Sequence, residues 1–149
     1  MFEPIIAKIS DIFGLNEYVF LYQVFGFLGW LNVVLVVIAG SLFGLRRLNK
    51  YVYGNKNTTL KKIVKPLSKI HPYIGSVLLI SAFIHGDLAL GTVFKLHTGP
   101  LAGWILLLMM LVALIGKKFR VKNWLKIHRI LAVLFVCAIL LHLFARNIF

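Results

Sequence analysis

Residues 64–85, VKPLSKIHPYIGSVLLISAFIH, are echoed by residues 121–142, VKNWLKIHRILAVLFVCAILLH. A shift of 57 places superposes Val64 on Val121, Lys65 on Lys122 and Lys69 on Lys126. It also superposes Ile70 on Ile127, His71 on His128 and His85 on His142. The two histidines of each copy are fourteen residues apart. On an α-helix that spacing advances about 1400°, some 40° short of four turns, so both share one helix face about 21 Å apart along the axis. The surrounding residues are apolar. An ionisable residue inside a membrane segment is by default a candidate functional residue, and here four occur as two matching pairs.

The rest of the chain defines the setting. It has 149 residues, is 60% hydrophobic and has a mean hydropathy of +0.92, too apolar for a water-soluble domain of this size. The expected fold is an all-α integral-membrane bundle of four transmembrane helices with a short interfacial N-terminal helix. The expected spans lie at about residues 18–45, 70–90, 101–116 and 127–145, in a single domain covering residues 1–149. Ile5, Ile6, Ile9, Ile12 and Phe13 fall on one face of the N-terminal segment, with Glu3, Lys8 and Asp11 off it, the pattern of a helix lying in the interface. Glu3, Asp11 and Glu17 argue against a cleavable signal peptide. Between residues 46 and 69, Leu60, Ile63, Val64 and Leu67 recur among lysines at helical spacing. A surface helix broken or kinked at Pro66 is expected there.

Seventeen Lys and Arg stand against four Asp and Glu. Fourteen of the seventeen lie in two segments, residues 46–69 and 117–129. In a soluble protein such an excess would point to nucleic acid. Here it sits between apolar runs and reads as membrane orientation, so lipid is the expected partner and nucleic acid is not. The positive-inside rule puts both basic segments in the cytoplasm. A multi-pass protein of the cell membrane with both termini outside follows.

That topology makes the second and fourth spans parallel. His71 and His128 then share the cytoplasmic depth, and His85 and His142 the outer one. Zinc needs four ligands gathered at one depth, whereas each depth here offers two. Two imidazoles on opposite sides of a macrocycle suit a six-coordinate haem iron built for electron transfer. No Cys-x-x-Cys-His is present for covalent attachment. The reading is two haems b, with pairs His71/His128 and His85/His142 as axial iron ligands. Leu78 and Phe135, seven residues past the first histidines, lie about 20° off the histidine line and fall between the two haems. Gly75 and Ala132 leave room for a ring edge. Lys69, Lys126 and Arg129 at the inner rim, and Lys95 and Arg146 at the outer rim, are candidate propionate partners. His97 and Asp87 are candidates for an outer acceptor site. No residue is assigned a catalytic role. The lone Cys137 is expected as a small core residue.

The paired H-x13-H helices, the second written Trp124-Leu125-Lys126-Ile127-His128-Arg129-Ile130-Leu131, resemble the ferric reductase-like transmembrane domain of ferric reductases and NADPH oxidase membrane cores. The resemblance covers residues 65–146. It implies that the four histidines ligate two stacked b haems passing electrons across the membrane. The chain departs from that family in having four spans where six are usual. It also carries no flavin-binding or nicotinamide-binding domain, so a separate cytoplasmic-side protein or a membrane quinol is the expected donor. Four-span cytochromes of the b561 type are similar in size and compete as a resemblance. The expected function is a dihaem b-type cytochrome carrying electrons from a cytoplasmic-side donor to an outer-face acceptor of unknown identity. The alternatives are a quinol- or superoxide-linked oxidoreductase with a substrate pocket at one haem edge, and a non-redox membrane anchor subunit.

Overall fold

The computed structural model describes residues 2–91 and 97–144. Within them the chain forms five helices and no strand: α1 (Glu3–Ile12), α2 (Glu17–Tyr51), α3 (Thr58–Leu90), α4 (Thr98–Lys118) and α5 (Trp124–Phe144). The four from α2 to α5 are long and apolar enough to cross a membrane. A helix meets every internal backbone donor and acceptor along its own axis, which hydrocarbon demands. The short α1 packs on α2, burying Ile6 and Ser10 while Ile12 stays outside.

The helices start and stop where local chemistry dictates. Asn16 caps α2 by accepting from the Val19 N–H, and Asn57 caps α3 by accepting from the Leu60 N–H. Gly54 and Asn55 take the left-handed conformation that turns α2 back into α3. Gly91, also left-handed, ends α3 by donating its N–H to the Asp87 carbonyl.

From α2 onward each helix runs antiparallel to the next. Along α2 and α3, Arg46 donates to Ser68 at one end while Phe25 meets His85 at the other. Along α4 and α5, Gly116 meets Trp124 at one end and Gly99 meets His142 at the other. A Cβ on Gly116 would stand 2.3 Å from that of Trp124, so only glycine fits there. The molecule is therefore two helical hairpins, α2–α3 and α4–α5, joined through α3 and α4. Phe83 against Trp104 and Gly75 against Met110 make that join. Two antiparallel steps leave α3 and α5 parallel, and their backbones do not pack closely on each other. The core lies between them and α4: Leu78, Ala102, Leu106, Phe135 and Ala138, with Leu106 fully enclosed. Outside it, large side chains such as Trp30 and Val133 are exposed, as expected where lipid takes the place of a protein core.

Two expectations change. Residues 58–69 are not a separate surface helix, because α3 continues unbroken through Pro66 and Pro72. Each proline forfeits a backbone hydrogen bond, at about 3 kcal/mol in an isolated helix. Packing along α2 and the Arg46–Ser68 bond hold the segment in line. The helices α2, α4 and α5 likewise run past the apolar stretches into the basic residues. Cys137 is the second change. It is exposed on the outside of the bundle, because α5 turns Phe135 and Ala138 inward.

Candidate cofactor site in the helix bundle

The histidines form a ladder on the two parallel helices. At the basic end, His71 of α3 and His128 of α5 stand with ring centroids 6.4 Å apart and planes 76° apart. Two imidazoles bound trans on one metal have centroids about 6.4 Å apart, given a metal–nitrogen bond of about 2 Å. The pair expected from spacing is thus brought together edge to face, at a separation that ordinary ring contacts share.

The other level is built differently, each histidine leaning on the helix that precedes its own. The ring of His85 stacks on Phe25 of α2, centroids 4.5 Å apart and nearly parallel. Its Nδ1 lies 3.1 Å from the Phe25 carbonyl oxygen. His142 lies against the start of α4, with Nδ1 3.1 Å from the Thr98 hydroxyl. A glycine makes each approach possible. A Cβ on Gly29 would come within 3.1 Å of His85 Cε1, and one on Gly99 within 3.1 Å of His142 Cε1.

These bonds determine where the protons are. A backbone carbonyl only accepts, so His85, bonded to Phe25 O, carries its proton on Nδ1. His128 does likewise, with Nδ1 3.2 Å from the Met109 carbonyl. In a neutral imidazole the lone pair then falls on Nε2. That is how ligating histidines are held in metal sites, with the distal N–H given to a carbonyl and the other nitrogen turned to the metal. His71 differs: its Nδ1 is buried with no hydrogen-bond partner. One histidine at each level, His128 and His85, therefore holds its Nδ1 against a backbone carbonyl. Among the described residues no cluster of three or more His, Cys, Asp or Glu is placed to hold a bare metal ion.

Leu78 and Phe135, expected between the levels, both lie in the buried core. The space beside Gly75 is taken by Met110, whose Sδ would be 3.0 Å from a Cβ there. Lys69, Lys126 and Arg129 are all exposed at the basic end, within two residues of a histidine. Lys95 and Arg146 lie outside the described residues.

His97 and Asp87 both have structural partners. The ring of His97, the residue just before α4, lies edge-on to His142 with centroids 6.3 Å apart. That separation resembles an axial pair, but the nitrogens exclude one. Thr98 Oγ1 lies 3.4 Å from His97 Nδ1 and 3.1 Å from His142 Nδ1, so the two Nδ1 atoms are at most about 6.5 Å apart. Trans ligation through Nε2 would separate them by about 8 Å. Asp87 is buried, and its carboxylate accepts the Phe2 N–H at 2.8 Å, tying the start of α1 to the end of α3.

Phe25, Gly29, Thr98, Gly99 and Met109 were not singled out from the sequence as partners of the histidines. Gly29 and the Thr98-Gly99 pair beside His97 carried the available signal. The carbonyls of Phe25 and Met109 carried none, since every residue has one.

Neither protein-family models, nor curated proteins, nor solved structures match the chain. Fold and site together define an all-α bundle with four helices able to cross a membrane and a ladder of histidines on its two parallel helices.

Proposed function

We propose that the chain is a b-type dihaem cytochrome that carries electrons across a membrane. His71 and His128 hold the haem at the basic end, and His85 and His142 hold the haem at the other. The observation that carries this reading is the pair of carbonyl contacts in the ladder, one at each level. Backbone carbonyls of Phe25 and Met109 take the Nδ1 protons of His85 and His128, leaving an Nε2 lone pair at each level. Bis-imidazole iron, when bound, exchanges single electrons and keeps no open position for oxygen.

The other residues prepare the path. Phe25, Gly29, Thr98 and Gly99 seat the histidines of the second level. Leu78 and Phe135 exclude water between the levels. Lys69, Lys126 and Arg129 supply cations where propionates would emerge at the basic end. By the positive-inside rule that end is cytoplasmic and both termini are outside. Electrons then enter at His71/His128 from a separate protein or a quinol and leave at His85/His142 to an outer acceptor such as a ferric complex, a flavoprotein or oxygen. This role is the one implied by the resemblance to the ferric reductase-like domain.

Single substitutions test the reading. His85→Ala removes one haem per chain and leaves the other, whose His71/His128 ligands are untouched. His71→Ala removes the other. A reduced-minus-oxidised spectrum with haem quantification reads both. If either variant keeps two haems, the assigned pairs are wrong. Reduction by a quinol with no protein donor would move the reading to a quinol-linked oxidoreductase.

A further inference from the structure

We propose that the α2–α3 hairpin at the basic end is a docking post for a soluble, acidic electron-donor protein. The proposal rests on the histidine ladder being an electron path. Its own observations are length, charge and position.

The apolar part of α3 begins at Ile70. The twelve helical residues before it, 58–69, carry α3 about 18 Å further along its axis. The end of α2 runs beside them and the turn at Gly54 and Asn55 closes the tip. The lipid headgroup layer on one side of a bilayer is only about 5–8 Å thick. Arg46, Arg47, Lys65 and Lys69 therefore stand at headgroup level, and Lys56, Lys61 and Lys62 rise beyond it. All seven are exposed. The second basic segment, with Lys117, Lys118, Arg120 and Lys122, stays at the foot of this post, because the turn from α4 to α5 is short.

No acid shares this end. Glu3 and Glu17 open the helices at the far end, Asp11 ends α1 beside them, and Asp87 is buried at the end of α3. The cations nearest the membrane have uses. Arg46 donates to Ser68, Arg47 donates to the Tyr51 hydroxyl and lies over the Phe43 ring, and Lys118 lies over Phe119. Headgroup phosphates serve the others at that level. The tip lysines stand where only a soluble partner reaches. A projecting wall of one sign, with a floor of the same sign, guides an oppositely charged protein and raises its association rate by about 10- to 1,000-fold at low salt. His71 and His128 lie within a turn of that floor, so a partner held there faces the entry to the ladder.

The test uses full-length, haem-loaded protein in nanodiscs of neutral phosphatidylcholine. The probes are a photoreduced acidic flavodoxin and, as an uncharged donor, duroquinol. Haem reduction by flavodoxin should fall at least about tenfold between about 0.02 and 0.3 M salt, as screening shortens the range of the charges. Lys56→Glu, Lys61→Glu and Lys62→Glu together should lower it about tenfold or more at low salt, with haem content and duroquinol reduction unchanged. Equal flavodoxin rates in native and triple-variant protein overturn the proposal. So does a difference that emerges only in anionic-lipid discs, which assigns the lysines to lipid. Protein without haem overturns the electron path itself, and the spectrum distinguishes that result from loss of docking alone.

Discussion

A methyl group at Gly29 would stand 3.1 Å from Cε1 of His85, and one at Gly99 equally close to His142. Both lie in the range where a neighbour must give way, and here the neighbour is a ring already held by its Nδ1 bond. Overpacking of this kind typically costs about 1–3 kcal/mol, as much as the single hydrogen bond that holds the ring contributes. Gly29→Ala should therefore displace His85 and lower haem content towards one per chain while the bundle stays folded. Gly40→Ala, on the same helix with nothing within 4 Å of its Cβ, should bind as the native protein does. Haem quantification beside circular dichroism checks the pair. The four histidines and the facing Leu78 and Phe135 were legible in the sequence, because side-chain position on a helix follows from spacing alone. The anchors were not, because a carbonyl that accepts a proton from a distant ring leaves no mark on residue type.

At the scale of the element, the ends of the helices departed furthest from expectation. Hydropathy marks where a chain meets hydrocarbon, and a helix has no reason to end there. The 33 residues of α3 continue through two prolines because α2 supports them throughout. A distance measurement separates a continuous helix from one broken at Pro66. Spin labels replacing Lys61 and Val77, both exposed, in a Cys137→Ser background should lie about 24 Å apart along an unbroken helix. A surface helix turned sharply at Pro66 would bring them to about 18 Å. The number and order of helices were legible because apolar runs separated by basic clusters leave few alternatives. Their pairing into two hairpins was legible only in part. The repeat from residue 64 to 142 marks α3 and α5 as equivalent and says nothing of α2 and α4, whose glycines occupy unrelated positions.

For the molecule as a whole, the arrangement is two hairpins that turn their histidine-bearing helices to the same depths. Parallel α3 and α5 are the condition for this, since an antiparallel pair would set His71 opposite His142. In the proposed orientation, electrons leave an inside-negative cell, a direction favoured by about 2.3 kcal/mol per charge for each 100 mV. The central claim is that each rung holds one haem. The most direct measurement is the haem content of purified, folded protein by the pyridine haemochrome method, with its reduced-minus-oxidised spectrum. Two b haems per chain with six-coordinate, bis-imidazole bands is the predicted result. Folded protein that binds no haem, or only one, would contradict it.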